Sequence, residues 1–112
     1  MSERVSSEKL LDILGDTESR ALLVSLRQNS QSAKELGETT DLSLPTVYRR
    51  LDTLEELDLI SSATEVRADG THYRQYICTF DKSVVSLSPE GFVVELSVDD
   101  LTSVSKARSD DD

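Results

Sequence analysis

A chain of 112 residues holds one modest core, and its single Cys78 excludes a scaffold stapled by internal disulfides. No apolar run approaches the roughly 18 residues that a membrane-spanning helix needs, and MSERVSSEKL lacks the apolar stretch of a secretory signal, so a soluble, cytoplasmic protein without membrane contact is expected. The net charge is −10, from 22 acidic and 12 basic residues, and it is dispersed rather than blocked; the periodic Leu, Val and Ile of 7–98 argue against a disordered acidic chain.

Residues 1–6 are expected to be flexible. Ser7 can cap a short helix through about Leu14, with Leu10, Leu11 and Leu14 as its apolar side, stopped at Gly15-Asp16. Asp16 or Thr17 caps a second helix through about Asn29, whose buried side draws on Ala21, Leu22, Val24 and Leu26. Asn29-Ser30-Gln31 then turns the chain. Over 32–40, Ser32 and Glu35 form a capping-box pattern, and Gly37 suits a close approach of two helices.

A further helix is expected over 43–58, with Ser43 as N-cap and Pro45 in the first turn, where a missing N–H costs little. Val47, Leu51 and Leu54 recur at helical spacing and define its buried stripe. At about 100° per residue, Arg49 points away from that stripe, with Pro45, Thr46 and Thr53 beside it and Tyr48 and Arg50 on the flanks. Such a face suits a DNA groove, because Arg can fork onto guanine or phosphate and Thr can touch base edges.

After Asp58 the period changes from helical to alternating. Residues 59–67 and 72–80 read as strands joined by the turn Ala68-Asp69-Gly70-Thr71. A helix pair followed by a hairpin is the layout of a winged helix, and Arg67, His72 and Arg74 gather at the hairpin tip, where they can reach DNA or simply keep an exposed hairpin soluble. A second hairpin follows: 84–87, a Ser88-Pro89-Glu90-Gly91 turn, then 92–98, where Phe92, Val94, Leu96 and Val98 alternate onto one face that needs a cover. Residues 99–112 read as an acidic, flexible tail. The fold class expected is α+β: three to four helices, a hairpin wing and an additional C-terminal hairpin. The domain boundaries expected are 7–80 for the winged helix–turn–helix and 81–98 for the extension.

LLDILGDTESRALLVSL, LSLPTVYRRLDTLEELDLI and DGTHYRQYICTF together resemble winged-helix regulators related to the ArsR family, over about 7–98. The scarcity of lysine (Lys9, Lys34, Lys82 and Lys106) and the spread of Asp and Glu are similar to members from salt-loving archaea. The resemblance implies a homodimeric, sequence-specific regulator of double-stranded DNA. It gives Ser43, Thr46, Tyr48, Arg49 and Arg50 the DNA-contact role, with Thr53 on the same face, and Arg67, His72 and Arg74 the wing role. Thr40 stands where the pattern prefers Leu, Asp58 where it prefers Gly, and the arginine-rich start of the second helix is reduced to Arg20.

The resemblance brings no metal or other cofactor, since one Cys and one His show no C-x-C or H-x-x-x-H spacing. Enzymatic chemistry has no foothold either: the four glycines form no phosphate loop, and His72 and Cys78 lie six residues apart on one strand, roughly 20 Å when extended. Cys78 shares strand parity with Tyr76 and Phe80 and reads as a small buried hydrophobe, with an intersubunit redox disulfide as the sharper alternative. Two function classes follow: a DNA-binding regulator, and a winged helix that binds protein within a transcription complex, which the acidity favours.

Overall fold

The computed structural model describes residues 6–98. Four helices, α1 (Ser7–Leu14), α2 (Thr17–Gln28), α3 (Ala33–Thr40) and α4 (Leu44–Glu56), precede four strands, β1 (Ile60–Val66), β2 (His72–Cys78), β3 (Lys82–Ser88) and β4 (Gly91–Ser97). The strands form two antiparallel hairpins, β1–β2 and β3–β4. This is the α+β winged helix that the sequence leads one to expect. The chain divides after Thr79 into two compact units. The expected flexible stretch 1–6 lies outside the described residues except for Ser6, and the acidic tail 99–112 lies outside them altogether.

Every helix start is capped by a side chain that satisfies an otherwise orphaned N–H. Ser6, not Ser7, caps α1, accepting from Glu8 and Lys9 N–H, so that helix begins one residue earlier than expected. Asp16 caps α2, Ser32 and Glu35 close a full capping box on α3, and Ser43 caps α4. The helix α4 ends at Glu56, two residues short of the expected 58, because Asp58 takes a left-handed conformation at φ 62°.

The core of the first unit is built from Leu22, Leu36, Val47, Leu51, Leu54, Leu59 and Ile60, all fully enclosed. The expected stripe of α4 is therefore the observed one. The buried side of α2 differs. Ala21 and Val24 face outward, and the enclosed positions are Ser19, Leu22, Leu23, Ser25 and Leu26. Ser19, Leu22, Leu23 and Leu26 make a regular helical stripe once a serine is admitted to it, and Ser19 is tolerated there because its hydroxyl donates to Asp16 Oδ2 at 2.7 Å.

Gln31 does more than turn the chain. Its backbone pairs with Tyr76 through two hydrogen bonds of 3.1 and 2.8 Å, which ties the α2–α3 connection to β2. Its buried amide donates to the Ser25 carbonyl and hydroxyl and accepts from Thr39, so α2, α3 and the wing share one satisfied polar junction. Gly37 sits where a Cβ would meet the Leu42 carbonyl at 3.4 Å and the Leu44 and Val47 side chains at 3.9 Å, which is the close approach of α3 to α4.

In the second unit, the register places Val85 opposite Val94 and Leu87 opposite Phe92. One face of the hairpin thus carries Val85, Leu87, Phe92, Val94 and Leu96. Val94 is buried, whereas Leu87 is 73% and Phe92 49% exposed.

Candidate nucleic-acid interface

The helix α4 is anchored by its stripe and offers the rest of its surface to solvent. Arg49 and Tyr48 are exposed, and Thr46 and Thr53 are half-buried beside them. Ser43 and Thr46 engage each other: the Ser43 hydroxyl accepts from Thr46 N–H and lies 2.9 Å from Thr46 Oγ1. Thr53 donates to the Arg49 carbonyl at 3.3 Å. Arg49 takes part in no ion pair among the described residues.

The charge order along α4 is the reverse of what helix stability favours. Residues 42–51 hold two arginines and no acid, while Asp52, Glu55 and Glu56 occupy the C-terminal part. The macrodipole prefers acids first and bases last, by about 0.3–1 kcal/mol per charge near a terminus. α1, α2 and α3 follow that preference with Glu8, Glu18 and Glu35 in their first turns, and α2 adds Arg27 in its last. α4 alone keeps its electropositive end clear of carboxylates, an arrangement suited to an approaching anion.

The wing lies beside this helix end. Gly70 at φ 89° permits the tight tip, where Arg67 N–H donates to the Thr71 carbonyl at 2.8 Å and Asp69 accepts from Thr71. The Arg67 guanidinium stacks over the Tyr73 ring at 4.0 Å from its centroid, a cation–π contact that holds it in place while it stays exposed. His72 is exposed opposite Val66. A hollow of about 220 Å³ separates wing and helices, lined among others by Lys34, Tyr48, Arg67, His72 and Arg74. Three tyrosines, Tyr48, Tyr73 and Tyr76, share its walls; burial raises the Tyr76 phenol above its ordinary value.

Two of the arginines expected at this surface are turned to protein partners. Arg50 Nε lies 3.2 Å from Asp16 Oδ2, and its Nε and Nη2 donate to Glu18 Oε1 at 3.2 and 3.0 Å. Arg74 Nη2 donates to Ser62 Oγ at 2.6 Å and lies 3.5 Å from Glu55 Oε2, to which Ser62 also donates. The structure thus brings together Tyr48, Arg67, His72 and Arg74 around one hollow, sets Arg49 on the adjoining helix face, and sends Arg50 to the start of α2. Lys34 at the start of α3 lines the same hollow, and Val66, 62% exposed, pairs with His72 on the wing; neither was singled out from sequence. Neither carries a local signal, since only the fold sets the first turn of α3 against the wing. Cys78 is half-buried opposite Ile60, away from the tip.

The IclR helix-turn-helix domain matches residues 8–63, half of the chain, which takes in α1 from its second residue, all of α2 to α4 and the start of β1. The chain belongs to the IclR helix-turn-helix domain family. As such it is a DNA-binding transcription regulator. No curated protein sequence matches it. Among solved structures, the fold is similar to that of NolR from Sinorhizobium fredii, with a TM-score of 0.54 and 19% identity over 71% of this chain and 84% of that one. It is also similar to a possible transcriptional regulator from Methanosarcina mazei Go1, with a TM-score of 0.51 and 15% identity over 63% of this chain and 62% of that one. At these identities the likeness is one of fold.

Proposed function

We propose that this IclR-type domain acts as a homodimeric, sequence-specific regulator on double-stranded DNA, with α4 in the major groove and the wing, 67–74, on the adjacent backbone or minor groove. The observation that carries this reading is the inverted charge order of α4 beside the basic, tyrosine-lined hollow. On this reading Thr46, Tyr48 and Arg49 meet the bases, with Ser43 and Thr53 at the edges of the contact. Arg67, His72 and Arg74 meet the backbone, with Lys34 joining them.

Two features support a setting in strong salt of the halophilic archaeal kind, within the ArsR-related group whose motifs the sequence resembles. The acidity is dispersed, and only four lysines are present. At molar KCl the Debye length falls to about 3 Å, so a local cluster of arginines can bind DNA on a chain of net charge −10. Dimerisation is supported by the exposed apolar face of β3–β4: Ser83 to Val98 holds two charged residues, Glu90 and Glu95, which makes it the stretch where two equally acidic copies can meet with least repulsion. The same net charge favours a second reading, a winged helix that docks on protein without an operator of its own.

The test is retention of fragments from a genomic DNA pool by the full chain at molar KCl. Enrichment of a palindromic motif with half-sites about one helical turn apart is expected. Retention of no sequence by folded protein would favour the protein-docking reading.

A further inference from the structure

We infer that Arg50 is a positioning residue, which fixes the orientation of α4 by bracing it against the start of α2 rather than by touching DNA; the inference rests on the reading of α4 as the DNA-reading helix. The brace is built from a network, not from one surface pair. Asp16 Oδ2 accepts from Ser19 N–H at 2.9 Å and from the Ser19 hydroxyl at 2.7 Å, and it lies 3.2 Å from Arg50 Nε. Ser19 is itself fully enclosed, so the carboxylate that receives Arg50 is locked to the core of α2. Glu18 Oε1 then takes both Nε and Nη2. The N-cap Asp16 and the first-turn Glu18 also complement that helix's positive end, so one cluster satisfies a helix terminus and grips the neighbouring helix.

The geometry separates Arg50 from Arg49. Consecutive residues on a helix diverge by about 100°, and the side chain of Arg50 is only 28% exposed, held toward α2, while Arg49 is exposed on the outward face of α4. A guanidinium that forks onto two carboxylates brings no net positive charge to a phosphate. What it does bring is angular definition: α4 is held at its stripe by packing and at Arg50 by a directional contact across 32 residues of sequence. A small rotation of α4 would displace Tyr48 and Arg49 relative to any bases they meet.

The two roles predict opposite signs for one substitution. If Arg50 reached DNA, Glu18 would compete with it, and Glu18→Gln would tighten binding. If Arg50 braces α4, Glu18→Gln weakens specific binding. The experiment compares the full-length wild type, Arg50→Ala, Arg50→Lys, Glu18→Gln and Arg49→Ala. The probes are a duplex selected from a randomised pool by the wild type, and poly(dI-dC), each across a KCl series. Expected are a loss of about tenfold in specific affinity for Arg50→Ala and Glu18→Gln, an unchanged slope of log affinity against log salt, and no rescue by Arg50→Lys. Arg49→Ala should lower specific affinity by about 5- to 150-fold and relax the preference at the base it meets. Tighter binding by Glu18→Gln, a slope lowered by about 1 in Arg50→Ala, full rescue by lysine, or no change in affinity would each overturn the brace.

Amide hydrogen exchange without DNA reads the brace separately. Protection of 47–51 should fall in Arg50→Ala and Glu18→Gln and hold in Arg49→Ala. Unchanged protection overturns the inference. If the wild type selects no duplex at all, the DNA-reading role of α4 fails instead, and the exchange result still decides whether Arg50 holds the helix.

Discussion

At Asp16 a single carboxylate oxygen serves three neighbours: the Ser19 amide, the Ser19 hydroxyl and the Arg50 guanidinium. These partners favour the ionised form. The hydrogen bonds from Ser19 lower its pKa most, with Arg50 and Arg20 adding to the effect, so the carboxyl sits below its ordinary 3.8. The sign of the consequence follows from linkage. In the unfolded chain Asp16 takes up its proton near the ordinary value, whereas in the folded chain it does so only at lower pH. Its stabilising contribution is therefore complete above the unfolded value and disappears as pH falls through the lowered folded one. Urea midpoints of wild type and Asp16→Asn between pH 2 and 6, at fixed KCl, check this. The wild type should be the more stable near pH 6, and the gap should close on the acid side of about pH 3.8. A gap that does not vary with pH would show that Asp16 acts only as a neutral cap. Arg50 and Arg74 illustrate the limit of reading single residues. Their partners lie in other elements, so nothing near them in sequence separates an arginine that meets DNA from one that meets Glu18 or Glu55.

At the scale of elements, the end of α4 explains a departure from the expected pattern. Asp58 stands where the winged-helix pattern that the sequence resembles has glycine, and it adopts φ 62°. Leu59 N–H donates to the Leu54 carbonyl at 2.9 Å and Asp58 N–H to the Glu55 carbonyl at 3.0 Å. That pair of bonds is a Schellman closure, which needs a left-handed residue at the Asp58 position. Leu54 and Leu59, the two apolar residues it brings together, are fully enclosed. Glycine adopts this conformation without the Cβ clash, and aspartate is among the few other residues that tolerate it. Asp58→Gly should raise stability by about 0.5–1 kcal/mol, and Asp58→Val should lower it by more, both measured by denaturant titration in molar KCl. Equal stability of all three would mean that the left-handed turn carries no strain. Elements with local punctuation were legible in sequence: Ser43-Leu44-Pro45 opens α4, Asp69-Gly70 turns the wing, and Pro89 with Gly91 marks the second turn. The face of α2 was not, because Leu22-Leu23-Val24 offers no clean period and two serines lie inside. The Gln31–Tyr76 bridge was not, because it joins residues 45 apart in sequence through backbone atoms alone. The same reason hides Lys34 from the sequence: it enters the candidate interface by topology.

At the scale of the whole molecule, the charge of −10 sets the conditions under which the proposed dimer can exist. Two copies carry twice that charge, and at low salt the repulsion extends over tens of Å. Self-association should therefore strengthen as KCl rises, opposite in sign to the weakening that salt imposes on each phosphate contact. The β3–β4 hairpin is the surface on which this balance is proposed to turn. A two-stranded hairpin is marginal alone in water, and Leu87, Val85 and Phe92 remain exposed on its apolar face, with only Glu90 and Glu95 charged between Ser83 and Val98. Leu87→Asp places a carboxylate in that face and leaves the residues of α4 and the wing unaltered. Light scattering on the full chain between 0.2 and 3 M KCl should give twice the 12.4 kDa chain mass for the wild type at high salt. Leu87→Asp should stay near the single-chain mass throughout, with its helical circular dichroism retained. On a selected palindrome the variant should bind one half-site at a time and lose the cooperativity of the wild type. A dimer that survives Leu87→Asp would remove the hairpin from the interface and move the search to the first unit, while a wild type that is monomeric at every salt concentration would end the homodimer proposal and leave single half-site binding as the mode of DNA recognition.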